Sequence, residues 1–507
     1  MLALRQYVVL LKTIKPGSFI WDLITTTLTV VITVIMNLLL MRLLAERLGP
    51  EQFGAYALSR RIVATVIAVC TMSIGVAIPR YIAIASGDIE RHQYFLSGSI
   101  LGIVPGIIIL IVGTIFARPL TLLIFHSQIY QLLFLATLWL ITGTSLFTVL
   151  YAFYRGLQQM QQANLWQIAL QALGPLLIAW RFATSGRADL VVALLAVLMW
   201  LAIIPLGFIA FRAIRQSAQP ALRVSLRQMI DYGLPRVPGG LALTALFAVG
   251  PFLAPYFGSL KEAGYLAAGQ SVLMFIQSGL MAFGLVALPK LAQMVAEQRQ
   301  VAIQRAVEDI IALVLHLGLF VAFQAIIWAD EIVLTLLGSE YHAAIPLMRV
   351  VLLALVPYLA YVMLRSVVDA LEERAINTVN LFIALLVALI VGLPAALLGL
   401  EVMGLAIGTT VGFIVLGIST VSFLARTYHL HWQALRLKQV VALNLVILAL
   451  SLFARVGLTA ILTELPLLLG AGTMVLSLAI CYTLVLARWE VGWLIGLQQR
   501  ILVRRER

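Results

Sequence analysis

Apolar residues run through this chain in blocks of about 20, the length at which a helix crosses the hydrocarbon core of a bilayer. The blocks fall at residues 18–43, 53–78, 94–117, 131–153, 164–182 and 188–211. A second set follows at 232–256, 264–288, 305–328, 343–367, 377–398 and 402–424, and a last pair at 439–460 and 465–487. Lipid offers backbone amides no hydrogen-bond partner, so each block is predicted to be a helix. The pattern predicts an all-α polytopic membrane protein with about fourteen transmembrane helices. A composition of 63% hydrophobic and 11% charged residues fits that class and no water-soluble core.

One stretch returns in degenerate form. Leu48–Ala83 reads LGPEQFGAYALSRRIVATVIAVCTMSIGVAIPRYIA, and Phe257–Ala292 reads FGSLKEAGYLAAGQSVLMFIQSGLMAFGLVALPKLA. Gly54, Ala57, Ala77, Pro79 and Arg80 fall opposite Gly264, Ala267, Ala287, Pro289 and Lys290. With one residue fewer in the first loop, Asp22 and Gly49 fall opposite Asp231 and Gly258. A module repeated at fixed offset is a structural unit used twice. Both Gly49 and Gly258 loops fall on the same side, so the repeats are parallel, related by an axis along the membrane normal, and such halves enclose a central cavity and rock about it. The expected organisation is an N-terminal six-helix lobe at 1–211, an amphipathic linker at 212–231, a C-terminal six-helix lobe at 232–425, and an accessory helix pair with a tail at 426–507.

Charge refines this picture. The net charge of +13 invites a nucleic-acid reading, but the basic residues lie between the apolar blocks and make no single patch. Of the 34 Lys and Arg, 24 fall on the side that carries the N-terminus. The positive-inside rule then puts both termini in the cytoplasm. Arg5, Lys12 and Lys15 precede a long first span with no small-residue cleavage site, which reads as a retained helix. Residues 1–17, the segment 218–232 with Leu222, Leu226, Met229 and Ile230 at helical spacing, and the Arg-rich tail after Trp489 all read as interfacial helices. The two cysteines, Cys70 and Cys481, lie in different spans and support neither a disulfide nor a metal site.

An ionisable residue within a span is expensive, on the order of 3 kcal/mol, and asks for a reason. Arg60 and Arg61 lie about 9 Å inside the outer surface at 1.5 Å per residue, and Arg349 sits at comparable depth in the other half. Their planar forks suit a phosphate. Gln270, the repeat counterpart of Arg60, and Gln277 give the opposite wall polar character without charge. The competing reading is that the arginines snorkel to the interface. Adjacent helical positions point about 100° apart, so Arg60 and Arg61 face differently, and the sequence does not say which faces inward. Asp22 and Asp231 could serve coupling or gating, or simply favour a helix N-terminus. His316 could relay protons or pack as a neutral ring. Asn37 and Gln324 could serve helix–helix hydrogen bonds as readily as substrate. His429 and His431 lack a third ligand for a metal. There is no Gly-rich Lys phosphate loop, no G-x-S-x-G elbow and no H-E-x-x-H, so no ATPase, hydrolase or metalloprotease chemistry is expected, nor any cofactor.

The phrase Arg47-Leu48-Gly49-Pro50-Glu51-Gln52-Phe53-Gly54-Ala55-Tyr56, followed by Ala77-Ile78-Pro79-Arg80, resembles the polysaccharide-biosynthesis (oligosaccharide flippase) branch of the multidrug/oligosaccharidyl-lipid/polysaccharide exporter superfamily. Tyr232-Gly233-Leu234-Pro235 and Gly338-Ser339-Glu340-Tyr341 extend the match to about residue 430. The resemblance implies two lobes in a V, alternating access, and movement of undecaprenyl-type lipid-linked sugars from the inner to the outer leaflet of the cytoplasmic membrane. It also implies a basic cavity for the pyrophosphate or an acidic sugar, with pathway glycosyltransferases or a polymerase as partners. The first span lacks the dense arginines of lipid II flippase relatives. The expected function is therefore a flippase for lipid-linked oligosaccharide or polysaccharide repeat units. A cation-coupled multidrug exporter and a lipid II flippase of the same superfamily are the alternatives.

Overall fold

The computed structural model describes residues 19–72, 74–216, 222–296, 300–371, 376–431, 437–461, 472, 474–479 and 482. Among them the chain is helix and turn throughout, with no strand. The interfacial segment expected at 1–17, most of the last span at 465–487 and the basic tail lie outside the described residues. Nine described helices are long and apolar enough to cross a bilayer, or ten if the bent pair Ala344–Leu352 and Leu355–Arg365 is one span. The chain forms two compact units, Met1–Ala268 with Leu336–Glu340, and Gly269–Thr335 with Tyr341–Arg507.

The first unit opens with α1 (Phe19–Cys70), which breaks at Gly49, where φ is +72°, immediately before Pro50. A left-handed φ is free only to glycine, and proline is tolerated at the first helical position that follows. Asn37 and Ile67 line the same cavity, whereas a straight helix would hold them about 45 Å apart; α1 therefore doubles back on itself. Ile24, Leu28, Val31, Ile35 and Leu39 form an exposed stripe at helical spacing. Buried Thr29 and half-buried Thr33 and Asn37 lie on other faces. That inside-out pattern is the one a helix takes in lipid.

The predicted span 53–78 is not continuous. α1 stops at Cys70, Met72 takes a left-handed φ of +41°, and α2 (Ile74–Ile84) starts afresh. Then come α3 (Asp88–Ile115), α4 (Ala117–Phe125), α5 (Gln131–Gly156), α6 (Met160–Ile168), a π-helical turn at Ala169–Leu173, and α7 (Gly174–Phe182). The first unit continues with α8 (Ala188–Trp200), α9 (Ile203–Gln216), α10 (Leu222–Gly233), α11 (Val237–Phe257) and the start of α12 (Leu260–Ala296). α5 is the most buried of its spans and forms the unit's centre. α10 is the amphipathic linker. Its Met229 is buried and its Ser225 hydroxyl lies 2.6 Å from that of Ser97 on α3, so protein covers part of the face expected to meet lipid.

α1 and α12 lie against each other at the repeat motif. A Cβ on Gly54 would stand 1.9 Å from the Leu260 carbonyl oxygen, and one on Gly264 would stand 2.7 Å from the Gly54 Cα. Gly54 and Gly264 are repeat counterparts, so the repeated motif meets itself at this close approach. Seven residues on from Gly54 and Leu260, Arg61 donates to the Ala267 carbonyl at 3.1 Å, so the two helices run parallel there.

The second unit takes up α12 from Gly269. It adds α13 (Gln300–Leu313), a π turn at Val314–Gly318, α14 (Leu319–Ile327), α15 (Ala329–Leu336), α16 (Ala344–Leu352) and α17 (Leu355–Leu371). After α18 (Ile376–Ala395) comes a π turn with Gly399 at φ +98°, then α19 (Glu401–Tyr428) and α20 (Leu437–Ile461). α18 and α19 form a tight antiparallel hairpin, in which Gly404 meets Ala396 and Gly408 meets Gly392. Small residues let backbones approach this closely in the absence of a hydrophobic drive between lipid-immersed helices. α20 is joined to α14 by polar contacts: Gln324 Nε2 bonds Ser451 Oγ at 2.9 Å, and Arg455 donates to the Ile327 carbonyl.

Candidate functional site: a polar cavity in the first unit

The two halves of α1, helices α5, α7 and α8, and the π turn that precedes α7 line a cavity of about 240 Å³. The second half of α1 contributes Tyr56, Arg60, Val63, Ala64 and Ile67, residues that fall on one helical face. Arg60 is exposed into this space. No carboxylate lines the cavity, and none of the described residues forms an ion pair with Arg60. The rest of the polar lining is Asn37, Thr144 and Gln171. Asn37 Nδ2 donates to its own turn at Thr33 O (2.8 Å) and across to Gln171 O (3.2 Å). Gln171 lies in the π turn, whose altered backbone pairing leaves carbonyls available to outside donors. Below this level, Asn164 Nδ2 donates to Thr26 Oγ1 at 3.2 Å. Thr26, Thr33 and Asn37 on α1 thus recur at helical spacing, as Asn164, Gln167 and Gln171 do on α6 and its π turn.

The result is one fixed positive charge in a small chamber whose remaining lining is uncharged and mostly apolar. Its volume falls below the roughly 300–1,000 Å³ typical of pockets for drug-sized ligands. It has room for a small anion or the phosphorylated end of a larger molecule, not for a whole oligosaccharide.

Arg61, one position on, takes a different course. It is 8% exposed, donates to Ala267 O, and has its guanidinium carbon 5.7 Å from the Phe247 ring centroid. The 100° between adjacent positions thus separates a cavity-lining arginine from one that bridges helices. Asp22 sits half-buried in the first turn of α1 and outside the cavity lining. Asp231 is exposed on α10 and pairs with Arg227 at 3.8 Å, a contact worth little in solvent.

The other candidates belong to the second unit. Arg349 meets Asp330 with both carboxylate oxygens, at 2.9 and 3.0 Å. Arg455 reaches the same Asp330, and Glu331 at 3.3 Å. Gln270 is fully buried, and neither of its amide atoms has a partner among the described residues. Gln277 accepts from the Tyr358 hydroxyl. His316 is 2% exposed in its π turn, and the Tyr482 hydroxyl donates to its carbonyl at 2.8 Å. His431 meets Gln304 and Glu308, and no group of three metal-ligating side chains occurs among the described residues. The Arg365 carbonyl accepts from Asn377 at 2.8 Å.

Sequence reasoning missed Tyr56, Thr144, Gln171 and Arg455. The recurrence of Asn164, Gln167 and Gln171 within a span was a usable signal, as was the lone charge of Arg455 in the thirteenth block.

Comparison with known proteins bears on the fold and the family. No curated protein sequence matches the chain. Among solved structures, the lipid II flippase MurJ in an inward closed conformation superposes with a TM-score of 0.72 at 14% identity, covering 92% of this chain and 99% of that one. An inward-facing multidrug resistance MATE family transporter of the MOP superfamily gives 0.68 at 16% identity, over 80% of this chain and 95% of that one. A MOP superfamily transporter from Pyrococcus furiosus, described as having a binding pocket of reversed polarity, gives 0.60 at 16%, over 82% and 96%. At these identities the likeness is one of fold, that of polytopic membrane transporters. Residues 21–295, more than half of the chain, match the family described as polysaccharide biosynthesis protein. The chain belongs to the polysaccharide biosynthesis protein family.

Proposed function

We propose that this protein is a flippase that moves a lipid-linked oligosaccharide or polysaccharide repeat unit from the inner to the outer leaflet of the cytoplasmic membrane, with both termini inside. The observation that carries the reading is Arg60, an arginine without a carboxylate partner among the described residues, in a chamber lined otherwise by neutral side chains. A guanidinium in such a place favours the phosphate of a lipid-linked sugar over a cationic drug, for which an acidic lining would be needed. The family supports a role in polysaccharide assembly, and the fold shared with transporters supports alternating access of two parallel-repeat lobes about a central cavity. Arg60 engages the phosphate while the isoprenoid tail stays in lipid. Arg61 holds α1 to α12. Arg349, with its guanidinium on Asp330, and the buried Gln270 contribute to the second unit's frame, as do Gln277 and His316. Glycosyltransferases of the same pathway supply the substrate and a polymerase consumes it.

The test is complementation in hosts deleted in turn for an O-antigen repeat-unit flippase, the lipid II flippase or a multidrug exporter. Restored surface polysaccharide in the first host alone supports the reading. Rescue confined to the drug exporter or lipid II host replaces it with one of the alternatives.

A further inference from the structure

Two motifs that carry the family resemblance, Ala77-Ile78-Pro79-Arg80 and Tyr232-Gly233-Leu234-Pro235 with Arg236 after it, come together at one aromatic ring. The Arg80 guanidinium carbon lies 4.7 Å from the Tyr232 ring centroid and that of Arg236 lies 3.8 Å from the same centroid. Arg236 also donates to the Tyr232 carbonyl. The ring is held in place. Gly233 beside it sits so close to the Met72 carbonyl that a Cβ would stand 2.2 Å from the oxygen. Tyr81 packs edge-on against Tyr232 and stacks on Tyr94, and both hydroxyls bond Gln228, at its carbonyl (3.3 Å) and its Oε1 (2.9 Å).

Both arginines are exposed, and no carboxylate among the described residues pairs with either. Nearby arginines differ in this respect: Arg91 has Asp88 at 3.1 Å and Arg227 has Asp231 at 3.8 Å. Two like charges beside one ring repel unless an anion joins them. Each arginine spends a donor on Tyr232, Arg80 on the side chain and Arg236 on the carbonyl, and each planar fork keeps further N–H donors of the kind that grip phosphate oxygens in pairs. Tyrosine and arginine together also mark the level of lipid headgroups.

We propose that Arg80, Tyr232 and Arg236 form a loading clasp for the phosphate or diphosphate group of the lipid-linked substrate, a site separate from the Arg60 chamber. The assignment of the ligand to the substrate rests on the flippase reading above. The clasp preorganises two forks on a rigid ring, so the substrate's headgroup is captured at the membrane surface before translocation begins. The Pro-Arg half of the motif then has a function beyond packing.

The full chain in phosphatidylcholine nanodiscs is titrated with radiolabelled undecaprenyl diphosphate and, separately, with inorganic pyrophosphate. R80Q/R236Q should weaken binding of undecaprenyl diphosphate at least tenfold. R80K/R236K, which keeps the charge and loses the fork, should weaken it severalfold. R212Q/R223Q removes the same charge elsewhere on the surface and should leave binding unchanged. Wild-type affinity in R80Q/R236Q, or an equal loss in R212Q/R223Q, overturns the clasp. Should the double glutamine variant not fold, R80Q alone serves, and unchanged affinity in it counts against the proposal. Pyrophosphate binding with the same arginine dependence shows the clasp reading phosphate alone; binding only of the lipid-linked form shows that the membrane presents the ligand. Both outcomes support it. Arginine-dependent binding without any translocation of lipid-linked sugar would sink the flippase reading and keep the anion clasp, whereas translocation with arginine-independent binding would do the reverse.

Discussion

Alanine at Gly54 should destabilise the first unit by far more than its single methyl group suggests. The new Cβ would stand 1.9 Å from the Leu260 carbonyl oxygen and 2.6 Å from its carbon. The obstacle is backbone, so no side chain can swing aside, and α1 and α12 must part by roughly 1 Å to reach ordinary contact. Overpacking of this kind costs about 1–3 kcal/mol. The same separation stretches the Arg61 to Ala267 hydrogen bond, now 3.1 Å, and a bond from a charged donor contributes about 1.5–3 kcal/mol. A combined loss of about 3 kcal/mol lowers the melting temperature by roughly 6–12 °C for a unit of this size. Tryptophan fluorescence during heating in detergent reads this directly. Gly240→Ala is the control, since nothing lies within 4 Å of its Cβ position and alanine favours a helix by about 1 kcal/mol. In the Gly54→Ala background, Arg61→Ala should add little, because the contact it removes is already broken. A Gly54→Ala protein that melts with the wild type, or a Gly240→Ala protein that falls as far, would refute the close approach of the two helices.

Other outcomes follow from the same contacts. Arg61→Ala alone should lower stability by about 2 kcal/mol, with the melting curve as its measure. Asp330→Asn leaves Arg349 and Arg455 without their shared carboxylate; the sites are partly exposed, so the loss should be roughly 2 kcal/mol, and a cycle with Arg455→Met should show non-additivity. Gly408→Leu should split the α18–α19 hairpin, where even a Cβ would stand 2.4 Å from the Gly392 Cα, and cut the yield of folded protein extracted from membranes.

The hydropathy pattern placed the described helices, with several ends displaced and some blocks split, because lipid leaves the backbone no other choice. Its failures are local. The break at Thr71–Met72 lies inside an unbroken apolar block, where a turn shows no polar signature. Likewise the π turn at Ala169–Leu173 is invisible to a hydropathy window. The repeat motif was legible as a pattern, but its meaning at Gly54 and Gly264 is a backbone contact, which one-dimensional spacing does not reveal. Arg60 and Arg61 were legible as costly charges and indistinguishable from each other; only the position of neighbouring helices separates one that lines a chamber from one that bonds a carbonyl. Arg349 looked like a free cation because its partner, Asp330, stands nineteen residues upstream in a different helix.

The central claim is that the Arg60 chamber receives the phosphate of a lipid-linked sugar, and its most direct measurement is translocation by reconstituted protein. Proteoliposomes carrying a fluorescent undecaprenyl-diphosphate oligosaccharide report the initial rate at which it reaches the opposite leaflet. One charge-assisted hydrogen bond of about 1.5–3 kcal/mol corresponds to at least tenfold. The account predicts a tenfold or greater fall in Arg60→Gln with an unchanged melting temperature, and partial recovery in Arg60→Lys. Full-rate translocation by a folded Arg60→Gln protein would contradict it.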